Sequence, residues 1–393
     1  MVFDFDRVVE RRNTASLKWA HPSAWLTPEQ VAADPLPMWV ADMDFEAPEA
    51  VRRTLRKLVE HGIYGYSMPH DSYREAVVGW QSRRFGWTPP IDSIVTTAGV
   101  VAALNLIVQT FSAPGDGVLV QTPVYGHFHQ DALANGRRVV TAPLTLEQGR
   151  YRFDPERFEA AITPDVKLFI LCNPHNPTGN VWTRQELTAM GEICLRHGVL
   201  VVSDEVHEDL IFNRSLRHVP YASLGEEFAA HSFVCTAPSK TFNLAGLQCS
   251  NTFVPNPRLR ADLQRHIQRC GQFLMNMFGV AACEAAYREG EPWLEALLDY
   301  VGANQARFAQ AVNASIPDVE VLPTDALYLA WMDWRKRGIG AELLPDTLIR
   351  KARLWFDDGR KFGDDGRGFM RVNLACPRST VDEAIERLRR AFA

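Results

Sequence analysis

The sequence predicts an α/β protein: a large unit on a mostly parallel sheet with helices on both faces, then a smaller α/β unit. Two observations carry this. Through the middle of the chain, short apolar runs alternate with stretches of helical spacing, the pattern of parallel strands joined by crossover helices. After about residue 285 the texture changes to one long helical stretch followed by separated strand-like runs. At 393 residues the chain is also too long for one ordinary core.

Taken in order, residues 93–97 read as a strand, 101–111 as a helix and 117–121 as a strand. Residues 166–172 read as a buried strand, 187–197 as a helix, and 199–203 and 233–236 as two further strands. The smaller unit has a helix over 293–313, strands at 319–322, 328–332 and 369–374, and a terminal helix over 381–392. The expected division is 1–45, an N-terminal segment joining the small domain; 46–285, the large domain; and 286–393, the small C-terminal domain.

Composition excludes several classes. A hydrophobic share of 46% and a charged share of 23% are those of a folded soluble protein. A net charge of −5 leaves no footprint for nucleic acid or an anionic membrane, and doublets such as Arg52-Arg53 and Arg389-Arg390 read as solvated faces. Residues 1–6 lack the basic and apolar regions of a signal peptide, and apolar runs such as 199–202 are too short to span a bilayer. The 7 cysteines form no C-x-x-C pair, so free thiols in a reducing cytoplasm are expected, and no metal.

In a parallel sheet ligands sit beyond the carboxyl ends of the strands. One strand ends in Asp204-Glu205. One acid alone there reads first as a turn or cap residue, yet a strand-end carboxylate is what a protonated pyridine nitrogen needs. A second ends in residues 173–179, where two prolines and a glycine stiffen a turn that carries Asn173 and Asn176. The stiff frame suggests a positioned amide at Asn176, able to donate to a phenolate-like oxygen.

Among 7 lysines, only Lys240 follows a core strand within a Ser/Thr-rich turn. A lysine at the mouth of a sheet has its pKa lowered and can form an imine. The hydroxyls of Thr236 and Ser239 would lie near a phosphate. Gly99 opens a helix whose free N–H groups suit a phosphate. Tyr125, just past a strand, suits either stacking on a flat heterocycle or core packing. Each signal is modest; five at strand ends, all needed by one cofactor, are strong together.

On residues 173–179, Ser203-Asp204-Glu205 and Ser239-Lys240, the chain resembles the fold-type I pyridoxal 5'-phosphate (PLP) enzymes, aminotransferase class I/II, over essentially its whole length. The resemblance implies an aspartate-aminotransferase-like fold with a seven-stranded sheet. It also implies that Lys240 is the imine lysine and the catalytic base, that Asp204 pairs with the pyridine nitrogen, and that Asn176 holds the 3′ oxygen. Tyr125 would stack on the ring, and Val100, Val101 and Ser239 would serve the phosphate. Residues 368–378 resemble the segment whose first arginine grips the substrate α-carboxylate, which makes Arg371 the fork, with Val40, Tyr125 and Asn176 beside the substrate. Arg378 is expected to be structural.

Residues 37–45, 61–66, 203–207 and 239–247 resemble the cystathionine β-lyase branch of the MalY/PatB type. That branch implies a homodimer with shared sites, in which Tyr66 reaches the phosphate of the neighbouring subunit. His207 stands where many aminotransferases carry a tyrosine; serving the ring oxygen and orienting Asp204 are both open readings. Gln248 replaces the phosphate-pairing arginine common in aminotransferases. The implied activity is α,β-elimination from cystathionine or other S-substituted cysteines, sulfoxides included. Transamination is the alternative, and a lyase with an added regulatory protein-binding role is the second. Trp19, Trp25, Trp39, Phe273 and Phe278 offer an aromatic wall for the sulfur substituent, with core or dimer packing an equal reading.

Overall fold

The computed structural model describes residues 3–272 and 274–393. The main sheet has seven strands: β1 (Ile94–Thr97), β2 (Gly117–Val120), β3 (Arg138–Thr141), β4 (Val166–Cys172), β5 (Leu200–Asp204), β6 (Ser232–Thr236) and β7 (Ser250–Phe253). Their order is β1-β7-β6-β5-β4-β2-β3, and every pairing is parallel except the two made by β7. Six strands therefore point their carboxyl ends to the same edge.

Strand alternation sorts the core into two layers. In β4, Leu168, Ile170 and Cys172 pack with Leu104 and Ile107 of α2 (Val100–Phe111), below which lie Leu263 and Ile267 of Pro257–Arg269. Phe169 and Leu171 face the other way, toward Trp80 of α1 (Asp71–Phe85), Leu187 of α3 (Arg184–His197) and Ala282 of α4 (Met277–Glu289). Helices thus cover both faces, as expected.

The smaller sheet is antiparallel, in the order β8 (Glu320–Val321), β9 (Leu329–Asp333), β11 (Phe369–Asn373), β10 (Asp357–Asp358). Its cover is the terminal helix Arg378–Phe392 and the second half of α5 (Glu291–Ser315), through Phe308 and Val312. The first half of α5, Trp293 to Val301, packs instead into the large core. Leu36 and Met38 join the smaller cluster, and Leu36–Pro37 pairs in parallel with Leu354–Trp355. The N-terminal segment is thereby pinned between the two sheets. Among the described residues no helix is long and apolar enough to cross a membrane, and the seven cysteines are unpaired.

Two strands of the main sheet escape the sequence pattern. β3 is an edge strand with Arg138 and Thr141 exposed, so it shows no apolar run. β7 is fully buried yet begins Ser250-Asn251-Thr252. Its polar groups are satisfied from outside the strand: Ser250 Oγ lies 2.7 Å from Thr97 Oγ1, and the Tyr73 hydroxyl donates to Asn251 Oδ1 at 2.5 Å. Partners far away in sequence make a polar strand tolerable in the core.

A candidate active site at the strand ends

A cavity of about 500 Å³ lies against the carboxyl ends of the parallel strands. Val100 and Val101 reach it after β1, Tyr125 after β2, Asn176 after β4, Asp204 and His207 at the end of β5, and Ser239 and Lys240 after β6. The facing wall brings Trp25, Trp39, Val40 and Ala41 from the N-terminal segment, with Asp357, Lys361 and Arg371 from the smaller sheet and its loop. One cavity therefore gathers every expected site residue but two. Thr236 is fully buried within β6, its hydroxyl turned to the Asn251 carbonyl at 3.5 Å, so the sheet takes the group expected near a phosphate. Tyr66 lies outside the cavity and is 96% exposed, in a separate groove with Leu274 and Phe278.

Lys240 sits in the single helical turn Pro238–Thr241, and its Nζ donates to the Ala41 carbonyl at 2.8 Å. Burial lowers its pKa to about 8; the positive Arg371 adds to this, while Asp42 and Asp204 oppose it. Near neutrality such an amine has an appreciable unprotonated fraction, the form that attacks carbonyl carbon or accepts a proton.

Asp204 and Glu205 diverge although adjacent. Glu205 turns away, accepting from Ser203 Oγ (2.7 Å) and Tyr221 N (2.8 Å) and meeting His218 Nε2 at 2.7 Å. Asp204 faces the cavity with one recorded donor, the Val206 N–H at 3.1 Å. Burial lifts its carboxyl to about 7, against that N–H and Lys240, with Glu205 adding to the rise. A cation placed against it would return it to the ionised form. His207 is buried, its pKa pushed well down by burial and by Lys240 and Arg371, and its Nδ1 has no partner among the described residues.

Arg371 is held at its tip. One nitrogen donates to Asn176 Oδ1 at 3.2 Å, and the other to the Trp39 carbonyl at 3.0 Å and to Asp357 Oδ2 at 2.7 Å. Because Asn176 Oδ1 accepts from Arg371, its Nδ2 is left to donate. Helix α2 starts at Gly99, whose φ of 117° no bulkier residue adopts easily, and no side chain caps it. Gly99, Val100, Val101 and Ala102 at its start line the cavity. Gln248 and Ser239 line the cavity too, with no arginine at position 248.

These residues fit pyridoxal phosphate. A buried carboxylate short of a partner suits the ring nitrogen, an amide donor the ring oxygen, an uncapped helix start the phosphate, and a desolvated amine the aldehyde.

Other contacts lay outside the sequence reading. Asn373 Nδ2 donates to the Val40 and Asp42 carbonyls, both at 2.5 Å, and Asn243 Nδ2 to those of Met43 (3.0 Å) and Phe45 (2.9 Å). Tyr328 donates to the Ala41 carbonyl at 3.0 Å. Together they lace residues 40–45 into the wall facing Lys240. The signal was present in part, since Asn373 and Asn243 sit two and three residues past the named Arg371 and Lys240. Of the aromatic candidates, Trp25 and Trp39 line the cavity; Trp19 donates instead to Asp44 at 2.8 Å, Phe278 packs on Tyr64, and Phe273 lies outside the described residues. Arg378 lies over the Tyr300 ring at 5.0 Å, away from the cavity.

The chain is similar to known proteins over essentially its whole length. The family model for aminotransferase class I and II matches residues 36–388. Cystathionine beta-lyase PatB of Bacillus subtilis is 42% identical over 99% of this chain and 100% of its own length. Protein MalY of Escherichia coli is 32% identical over 98% of this chain and 97% of its own. The crystal structure of cystalysin from Treponema denticola, which contains a pyridoxal 5'-phosphate cofactor, superposes with a TM-score of 0.94 at 33% identity, covering 100% of this chain and 99% of that one. The chain belongs to the aminotransferase class I and II family.

Proposed function

We propose that this member of the aminotransferase class I and II family is a PLP-dependent carbon–sulfur β-lyase. It takes cystathionine or another S-substituted cysteine and water to a thiol, pyruvate and ammonia; from a sulfoxide the sulfur leaves as a sulfenic acid. The observation that carries this is the wall opposite Lys240. Residues 37–45, one of the stretches that mark the lyase branch, present the Ala41 carbonyl to the Lys240 amine at 2.8 Å.

When bound, pyridoxal phosphate supplies a carbonyl that condenses with amines and a ring that takes up the electron pair left at Cα. The chain supplies the rest. Lys240 carries the Cα proton, a task suited to an amine lowered to about 8. Arg371 grips the α-carboxylate with its fork, beside Val40. Asp204 would hold the ring nitrogen, Asn176 the 3′ oxygen, and Tyr125 would stack on the ring. The Val100 and Val101 N–H groups and the Ser239 hydroxyl hold the phosphate. His207, kept neutral by burial, serves the ring oxygen or orients Asp204.

The working form is a homodimer in which Tyr66 completes the phosphate site of a second copy, a reading its 96% exposure suits. The unpaired cysteines support a cytoplasmic setting. The domain division is 1–45, 46–285 and 286–393, with α4 (Met277–Glu289) spanning the last boundary.

The test is direct. Holoenzyme is supplied with L-cystathionine and a panel of cysteine S-conjugates and sulfoxides, and thiol and pyruvate are measured without added keto acid. Release of both is expected from the thioethers, and of pyruvate from the sulfoxides, whose sulfur leaves as a sulfenic acid. Loss of amino donor only when a keto acid is present, with no thiol from any conjugate, would replace this reading by transamination.

A further inference from the structure

We propose that Lys361 is a specificity-determining residue that reads a carboxylate at the far end of the sulfur substituent. The inference rests on the β-lyase reading above and adds a substrate class: S-substituted cysteines whose substituent is itself an acid.

The charges lining the cavity single it out. Lys240 is committed to Ala41 and the reacting centre, and Arg371 is buried with three partners around its tip. A second anionic group on the substrate then meets one permanent cation among the described lining residues, Lys361 at the mouth. Its side chain is 51% exposed, and its Nζ lies 2.8 Å from Asp357 Oδ1 and 5.4 Å from the centre of the Trp39 ring.

Lys361 can leave Asp357 at small cost. The ammonium returns to water on its half-exposed side chain, and the buried Asp357 keeps Arg371 at 2.7 Å through its other oxygen, so no buried charge is stranded. A neutral substituent would give Lys361 no reason to move.

Its backbone, in contrast, is fixed. The Val124 N–H donates to the Phe362 carbonyl at 2.9 Å, and a Cβ on Gly126 would stand 2.4 Å from the Lys361 carbonyl oxygen. The glycine after Tyr125 is what lets the lysine-bearing loop seat there. A rigid base with a mobile cationic tip, beside an aromatic shelf of Trp39 stacked on Trp355 at 4.5 Å and met by Trp25 at 5.4 Å, suits a thioether chain ending in an acid.

The experiment uses holoenzyme and two conjugates that differ only in acid against amide: S-(2-carboxyethyl)-L-cysteine and S-(2-carbamoylethyl)-L-cysteine. The readout is the ratio of kcat/KM, acid over amide, in wild type, Lys361→Met and Lys361→Arg. Wild type should favour the acid. Lys361→Met should lower the ratio about five- to tenfold, mainly through KM, and Lys361→Arg should restore most of it. An unchanged ratio in Lys361→Met overturns the proposal, including the case where both conjugates decline alike because the Asp357–Lys361 pair is merely structural. Failure of the lyase reading would look different, as no thiol from either conjugate. Dissociation constants from the cofactor absorbance then still decide: an acid preference lost in Lys361→Met supports the proposal, and equal affinities in wild type overturn it.

Discussion

The two walls of the cavity handle charge in opposite ways. On the sheet side the groups are buried and scarcely paired within the chain: Lys240 meets a backbone carbonyl, Asp204 one N–H, and His207 Nδ1 nothing. On the other side, Arg371, Asp357 and Lys361 neutralise one another in a row. Desolvation without a partner displaces pKa values and leaves groups waiting for a ligand that brings the missing charge. Buried pairing instead holds Arg371 in place as a fixed recogniser, with the exposed Lys361 as its mobile counterpart. The sheet wall is thereby suited to chemistry and the facing wall to selection.

Substitutions can break this contrast. Lys240→Ala should cost the most, at least about 10³-fold in turnover with the fold retained, measured by pyruvate release and circular dichroism. Asp204→Asn follows, at about a hundredfold in kcat.

Asp204 also makes a pH prediction for the cofactor-free protein. Its folded pKa of about 7 exceeds the unfolded value near 3.8, so between these values the folded state binds more protons. Its contribution to stability is full below about pH 4 and is lost as pH rises toward 7. Urea midpoints at pH 5 and pH 8 should therefore differ less in Asp204→Asn than in wild type. An equal difference would mean that this carboxyl is not the group held protonated.

On the selecting wall, Arg371→Lys keeps the charge and loses the fork, so KM should rise about tenfold or more while kcat changes less. A larger loss in kcat than in KM would assign Arg371 to the chemical wall instead. Tyr66→Phe should weaken cofactor retention up to about tenfold, the scale of one hydrogen bond to a charged group, and mixed dimers should show the loss in the partner's site. Thr236→Val should do least. Its hydroxyl is spent inside the sheet, so cofactor affinity should stay within about twofold and stability within about 1 kcal/mol.

By itself the sequence determined the sheet wall. Asp204, Asn176 and Lys240 each stand within four residues of the end of an apolar strand, so local pattern and the strand-end rule located them together. β4 was legible to its exact bounds because apolar β-strand spacing is a local signal. Polar β7 was not, because what makes it a strand is Tyr73, 178 residues from Asn251.

The facing wall is of that second kind. Arg371 was named from a resemblance, but Asp357, Lys361 and the lacing of residues 40–45 by Asn243, Tyr328 and Asn373 arise from contacts some 200 to 330 residues apart, or from an antiparallel pairing between β10 and β11. Local spacing carries no record of which distant segment will supply a carbonyl or a counter-charge. Only the packing of the two sheets around the N-terminal segment decided that.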